Sequence, residues 1–415
     1  MTDRTFINLR ETLLRLELPC QIIHLVAAAG GEARYVGGVV RDLLAGIPLA
    51  MDADIDMAGT LPPEKAAQAL KNAGLRVIPT GIKHGTITVM AEGKNAPKQK
   101  VELTTLRQDI KTDGRHAEVV FGTDWAADAA RRDFTINSIY ADAEGRIFDP
   151  FGGVEDLNSG KVRFIGDPTT RIREDYLRML RYFRFFARFS RGDADEEAMA
   201  AMKRERAGLR QISGERIAAE IKGILKTRSV AAIDAMIATG IDQEIVAGGF
   251  SNQNFSKLVE FSSGIPPILL LGFLVGDAPP DLVAERLRLS NAEHQLLRLA
   301  MDSTSINELE GQIWQREAWS ITKDNRLDTK TISFLYSVWA IRVHDRVDMR
   351  VFKRLRDWQV PVFPVTGGDL MDRGFHEGEA LGQALATLEE YWIDQGFKPD
   401  RDELLNSLDA LPSTR

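Results

Sequence analysis

Hydrophobic positions along the first 150 residues change period several times. Phe6, Leu9, Leu13 and Leu16 recur at helical spacing within residues 5–29. Residues 34–36 make a short β-type run that ends on Gly37-Gly38, and residues 39–45 resume a helical spacing. Runs at 55–58, 86–90, 101–106 and 138–141 are β-branched or alternate apolar with polar, which predicts strands. Residues 92–100, with Gly93, Asn95 and Pro97, read as a loop, and residues 142–146 as a hairpin turn before a strand at 147–149. Past Phe151-Gly152-Gly153 the character changes, and from Ile172 to the end the apolar period is helical. The uncharged run 268–275 is far short of the ~20 residues a membrane span needs and is predicted to be a buried helix. Pro and Gly clusters at 264–267, 277–280 and 361–368 mark segment boundaries. The pattern predicts an α/β head followed by a long helical arm, divided as head 1–150, neck 151–225, body 226–345 and tail 346–415.

A chain of 415 residues exceeds what one core usually serves, in keeping with that division. The single cysteine, Cys20, excludes an internal disulfide framework and a cysteine-rich zinc site, and fits a reducing compartment. Asp3, Glu11 and Glu17 depart from the basic-then-apolar layout of a signal peptide, so a cytoplasmic location with no membrane partner is expected. A net charge of −7 argues against a globally basic nucleic-acid binder. Residues 161–216, however, carry 14 Lys/Arg against 9 Asp/Glu, a local positive stretch able to meet phosphates.

Residues 51–57 read M-D-A-D-I-D-M. On a strand, carboxylates at i and i+2 share a face. Without a basic partner between them they repel unless a cation intervenes, and a pair of Mg²⁺ ions suited to phosphoryl transfer would fill that need. Asp52, Asp54 and Asp56 are all candidates, and the pattern alone does not choose a pair. Glu102, on the 101–106 strand, is the nearest plausible third ligand, although an exposed strand carboxylate is the plainer reading. The stretch Y-V-G-G-V-V-R-D-L-L-A-G at 35–46 places two glycines between a strand and a helix. That arrangement lets backbone approach a triphosphate at a helix N-terminus, with Arg41 one turn in as a charged donor. It is neither a Walker A loop nor a dinucleotide fingerprint, because the lysine and the third spaced glycine are missing.

Gly37-Gly38-x-x-Arg41-Asp42, Gly46 and Asp54-x-Asp56 together resemble the head signature of polymerase-β-like nucleotidyltransferases. T-L-P-P-E from Thr60, V-E-L-T-T-L-R from Val101, R-R-D-F-T-I-N from Arg131 and D-P-F-G-G from Asp149 follow in order. E-D-Y-L-R-M-L-R-Y-F-R-F from Glu174 and S-G-E-R-I from Ser213 complete the series. This order resembles the class II (bacterial-type) CCA-adding tRNA nucleotidyltransferases and their poly(A) polymerase relatives. F-P-V-T-G-G-D-L from Phe363 resembles the tail of the bacterial group. The resemblance implies an α/β polymerase-β-like nucleotidyltransferase head followed by an all-helical neck, body and tail. It implies that Asp54 and Asp56 hold the metal ions, leaving Asp52 a bystander. It places Gly37, Gly38, Arg41 and Arg132 at the nucleotide, with Asp133 and Asn137 supporting the site. It also implies that residues 108–116 are a mobile loop assisting the change from C to A addition. Tyr176 stands where the family often has proline, which implies a looser start to the helix that follows.

The segment 174–189 also speaks for itself. As one helix it would put Arg178, Arg181, Arg184 and Arg188 on one arc and Met179, Leu180, Phe183, Phe186 and Ala187 on the other. A solvated basic face with a Glu174–Arg178 pair is the plain reading. The chemical reading is a protein template: Asp175 accepts from the exocyclic amine of cytosine or adenine, and Arg178 donates to the ring acceptors. Uracil and guanine lack that amino-acceptor edge. The resemblance assigns the same two residues and adds Arg181 and Arg184 as nucleotide contacts. The expected activity is template-independent addition of CCA to the 3′ end of tRNA from CTP and ATP, with Mg²⁺ and no obligate protein partner. A poly(A) polymerase, an enzyme adding only A or only the two Cs, and a non-catalytic RNA-binding protein are the rivals. The lone His-Asp dipeptide, His344-Asp345, reads as surface or packing.

Overall fold

The computed structural model describes residues 3–50, 53–82, 85–91, 99–113, 116–261, 263–276, 278–311 and 313–408, with backbone alone at 3, 4, 7, 108–113 and 116–120. The chain forms two compact units, Met1–Glu244 and Ile245–Arg415.

The first unit is built on a mixed sheet of seven strands in the order β3-β4-β5-β2-β1-β8-β9. These are β1 (Ala33–Val36), β2 (Ile55–Gly59), β3 (Arg76–Gly81), β4 (Thr86–Met90), β5 (Lys100–Thr105), β8 (Tyr140–Ala141) and β9 (Ile147–Phe148). Among the described residues only β2 and β5 pair in parallel, with Asp56 opposite Glu102. The crossover between them runs through the helix Pro63–Asn72, β3 and β4. In β2 the side chains of Ile55 and Met57 are buried while Asp56 is exposed, the alternation that period-2 geometry demands. Helices Asp3–Leu14 and Glu17–Ala28 replace the expected single stretch and break at Arg15-Leu16.

β6 (Arg107–Asp113) and β7 (His116–Phe121) form a separate antiparallel ribbon where a polar loop was expected at 108–116. Backbone pairing with register Arg107↔Phe121 through Ile110↔Glu118 suffices for such a ribbon. Its polar composition therefore concealed it. The strand expected at 138–141 is shorter, because residues Thr135–Asn137 turn as a 3₁₀ helix and Ser138 Oγ donates to the Thr135 carbonyl at 2.8 Å. The loop expected at 92–100 ends in the first residue of β5, and residues 92–98 lie outside the described ones.

D-P-F-G-G joins sheet to helices. Asp149 accepts the backbone N–H groups of Gly153 and Val154, both at 2.8 Å. A Cβ on Gly153 would lie 2.1 Å from the Thr135 carbonyl oxygen, so only glycine permits this approach. Thr135 Oγ1 donates to Asp156 at 2.6 Å, tying the same turn to the helix Gly153–Ser159.

The segment 174–189 is not one helix. The helix Pro168–Glu174, capped by Asp167, ends at Asp175, whose φ of −155° and ψ of 105° are extended. A new helix runs from Arg178 to Phe189. Tyr176 does not loosen this junction: its ring lies against Gly208, where a Cβ would come within 2.0 Å of it. The second helix buries Tyr182, Phe185 and Phe189 in addition to the expected Met179, Leu180, Phe183 and Phe186, while Ala187 is half-buried. Phe134, Phe164, Tyr182 and Phe185 pack ring on ring, with centroids 4.9–6.0 Å apart. Each fully buried aromatic or aliphatic side chain contributes about 1.5–3 kcal/mol. The basic face of the helix is thus anchored by its apolar one.

Beyond β9 the named elements among the described residues are all helical. In the second unit Ile268 to Leu274 are buried along the helix Pro267–Leu274, as the hydropathy predicts. The helix Thr329–His344 buries ten consecutive residues from Ile332 to Ile341. Trp319 packs with Val365, Leu370, Leu388 and Trp392, so the Pro/Gly segment 361–368 joins a shared core. No helix among the described residues is long and apolar enough to cross a membrane.

Candidate active site

The turn from β1 into the helix Gly38–Leu44 places Gly37 at φ +66°, a conformation glycine adopts without strain. A Cβ there would sit 3.8 Å from Arg132 Nη1 and from the Asn137 carbonyl, so the glycine turn and the R-R-D-F-T-I-N segment lie against each other. Arg41 is 6% exposed. It donates to Asn137 Oδ1 and, at 2.7–2.9 Å, to Asp42, and its guanidinium lies over Phe185 and Phe189 at 4.9 and 4.7 Å. Burial pulls its pKa down, with Asp42 acting against that and Arg188 and Arg184 adding to it. Arg41 therefore braces the pocket wall from within; as the chain stands, its donors are engaged.

Asp133 accepts from the Phe134 N–H, from Asn137 Nδ2 and from Arg181, all at 2.6–2.9 Å. Burial opposes its charge, but Arg181 and Asn137 outweigh it and hold the carboxyl below its ordinary range. Asn137, 7% exposed, thus connects Arg41 to Asp133. Arg184 pairs with Glu220 at 2.6 Å, and Arg188 with Asp42 at 2.8 Å. The basic arc is therefore locked at intervals by carboxylates from three other segments.

Asp54 and Asp56 project from one side of the β2 segment, with Glu102 beside Asp56 on β5. Lys100 reaches Glu102 at 2.7 Å and Asp54 at 3.6 Å, while Asp56 makes no ion pair among the described residues. Although Asp56 reaches solvent, the protein packed around its carboxyl raises its pKa by desolvation; Glu102 and Asp54 add to the rise, and Arg132 and Lys100 oppose it. Asp52 lies outside the described residues. The three carboxylates fit a divalent metal ion in donor chemistry, since they form a patch of negative charge that one lysine offsets only in part. They are not converged as they stand: no group of three His, Cys, Asp or Glu among the described residues forms a metal-holding cluster.

Asp175 and Arg178 are engaged on opposite sides. Asp175 accepts the Leu177 N–H at 3.1 Å and pairs with Arg216 at 2.7 Å. Arg178 pairs with Glu174 and donates to the Arg171 carbonyl at 2.9 Å. The Glu174–Arg178 pair of the plain reading is thus present.

Two contributors had gone unnoticed. Arg171, 8% exposed, donates to the Arg132 carbonyl and to Glu174, linking the R-R-D segment to the Asp175 junction. Asp128, 1% exposed, pairs with Arg131 and Arg132 and accepts from Tyr140 Oη at 2.8 Å. Arg132 Nε in turn donates to Tyr140 Oη at 2.9 Å. The i+3 and i+4 spacing of Asp128 to two arginines was the available signal. Burial works against the Asp128 charge, but Arg132 and Arg131 prevail and its pKa is lowered. A carboxyl with a lowered folded pKa stabilises the fold above its unfolded value, near 3.9, and loses that contribution as pH falls through the folded value. Asp128→Ala should cost about 2–3 kcal/mol at pH 7, less than a fully buried pair because both guanidiniums reach solvent. In urea unfolding the gap to the parent should shrink below about pH 4. A gap that is the same at pH 7 and pH 3 would refute the ionic account.

These features are those of a nucleotidyltransferase head joined to basic helices. Residues 33–163 match the family described as the Poly A polymerase head domain. The chain is 36% identical over 393 residues to CCA tRNA nucleotidyltransferase 1, mitochondrial, of Mus musculus, covering 93% of this chain and 88% of that one. Against the Homo sapiens protein of the same name it is 36% identical over 385 residues, covering 90% and 86%. The solved CCA-adding enzyme of Bacillus stearothermophilus, in complex with CTP, shares the fold with a TM-score of 0.71 at 24% identity, over 94% of this chain and 95% of that one. The chain belongs to the CCA-adding tRNA nucleotidyltransferases.

Proposed function

We propose that this chain adds CCA to the 3′ end of tRNA from CTP and ATP, without a nucleic-acid template, releasing pyrophosphate. The observation that supports this most is a pair of bonded side-chain groups that meet at the glycine turn. One joins Tyr140, Asp128 and Arg132; the other runs from Arg41 through Asn137 and Asp133 to Arg181 on the basic helix.

In this reading the tRNA 3′-hydroxyl attacks the α-phosphate in line. Asp54 and Asp56, with Glu102, would hold the divalent ion, Mg²⁺ in our reading. When bound, it would lower the pKa of the hydroxyl and offset charge on the triphosphate. Gly37 and Gly38 leave room for the triphosphate at the helix N-terminus. Arg132 offsets its charge, and Arg41, Asp133 and Asn137 keep that wall rigid, so positioning does most of the work. Asp175 and Arg178 select the base, with Arg181 and Arg184 alongside. We assign catalysis to the head, 1–150, base selection to the neck, 151–225, and tRNA holding to the body, 226–345, and tail, 346–415. A reducing, cytoplasmic setting suits a chain with Cys20 as its one thiol.

Incubating the protein with tRNA lacking CCA and with each nucleotide singly and in combination tests the reading. CTP alone should add two residues, ATP alone none, and both together three. Long A tracts from ATP alone would instead identify a poly(A) polymerase. One A on a tRNA already ending in CC, with no C addition, would identify a partial enzyme.

A further inference from the structure

Arg178 is the first residue of the helix Arg178–Phe189, and its guanidinium reaches back to the end of the helix before it. The helix Pro168–Glu174 stops at Asp175, and a side-chain donor can cap the carbonyls of its last turn. Arg178 Nη1 does so at the Arg171 carbonyl, at 2.9 Å. The same nitrogen donates to the Glu174 carboxylate. One carbonyl and one carboxylate therefore hold the Arg178 guanidinium in place.

The carboxylate is itself held. Arg171 Nη1 donates to both Glu174 oxygens, at 2.8 and 2.7 Å. Arg171 Nη2 points the other way and donates to the Arg132 carbonyl. The Arg171 side chain is buried and its Nε has no hydrogen-bond partner, so Nη1 and Nη2 carry its bonds. Burial works against its charge and Arg178 adds to that, while Glu174 opposes both. A cation persists in such surroundings where the bonds it makes outweigh its desolvation.

Both contacts of Arg178 thus lead back to one residue: directly to the Arg171 carbonyl, and through Glu174 to the Arg171 guanidinium. A Glu174–Arg178 pair without that support would be a partly exposed i,i+4 pair, which fixes neither side chain firmly. The far end of Arg171 is anchored on backbone between Arg131 and Asp133, in the segment that forms the pocket wall.

We propose that Arg171 is a positioning residue for base selection: it fixes where the Arg178 guanidinium stands relative to the segment that carries Arg132. The inference rests on the assignment of Arg178 to base selection given above. Arg171 acts through Glu174 and Arg178 and makes no contact with the base itself.

Arg171→Lys and Arg171→Met are made in the full-length chain, each alone and combined with Arg178→Ala. kcat/KM is measured for CTP and UTP on tRNA lacking CCA. Lysine keeps the charge but not the planar fork, so one amine does not span the Arg132 carbonyl and Glu174 together. Each single variant should lower the CTP:UTP ratio by about fivefold, lysine being the milder, and neither should lower it further once Arg178 is alanine. Ratios within twofold of the parent in both variants, while Arg178→Ala lowers it, overturn the inference and leave Arg178 its role. A fall in kcat for both nucleotides at an unchanged ratio does the same and makes Arg171 a brace of the helix junction. An Arg171 effect on the ratio that persists undiminished beside Arg178→Ala overturns the route through Arg178. A ratio that Arg178→Ala leaves intact overturns the base-selection reading, and this inference with it. Should Arg171→Met fail to melt cooperatively, Arg171→Lys decides by the same criteria.

Discussion

Asp56→Ala protein should bind tRNA as the parent does and add nucleotide to it on the order of 10³-fold more slowly. The backbone at this position is fixed by Ile55 and Met57, both buried, and by the parallel register with β5, so removing the carboxylate leaves the strand in place. What disappears is one oxygen ligand and a unit of charge beside Glu102 and Arg132. Charge stabilisation of several kcal/mol at a phosphoryl centre corresponds to a rate loss on the order of 10³-fold, at about 1.4 kcal/mol per factor of ten. Asp54→Ala should show the same loss and Asp52→Ala none. The thermal midpoint offers an independent check. The raised Asp56 pKa means that its charged form is disfavoured in the folded chain, so the alanine variant should melt no lower than the parent. An inactive Asp52→Ala beside an active Asp56→Ala would shift the register by a full strand repeat and overturn the assignment. A melting point several degrees lower would make Asp56 structural.

Much of this was legible because strands announce themselves through period and β-branching. Residues 55–58, 86–90 and 101–106 lie within one residue of β2, β4 and β5; the parallel pairing that sets Asp56 opposite Glu102 comes from the structure. What stayed hidden had physical reasons. Lys100 closes a polar, Gly- and Pro-containing run that reads as loop, so its contact with Asp54 and Glu102 depends on a register the pattern does not contain. Asp128 sits in W-A-A-D-A-A, where a lone acid among alanines looks exposed; only the packing of Tyr140 over it shows that it is buried. The break at Asp175 was missed because nothing in R-E-D-Y-L-R forbids a helix. The tertiary contacts of Tyr176 with Gly208 and of Arg216 with Asp175 decide it instead. That break takes Asp175 off the helix that carries Arg178.

Selectivity is where Asp175 and Arg178 are expected to show themselves. The Arg178 N–H donates to the Asp175 carbonyl at 2.9 Å, but the two side chains do not pair: Arg216 holds one and Glu174 the other. A cytosine or adenine edge can join them, because its amine meets a carboxylate and its ring nitrogen meets a guanidinium. Uracil would turn a carbonyl toward Asp175, leaving two acceptors face to face. A matched two-point contact discriminates bases by about 1–3 kcal/mol, or roughly 5- to 150-fold. Asp175→Ala should therefore lower the ratio of kcat/KM for CTP over UTP into single figures, chiefly by admitting UTP, and Arg178→Ala should lower it while weakening CTP itself. Arg178→Lys keeps the charge but loses the planar fork, so it should restore binding more than discrimination. A fall in kcat for CTP and UTP alike, with their ratio preserved, would show that the pair supports the helix junction and leaves the choice of base to other residues.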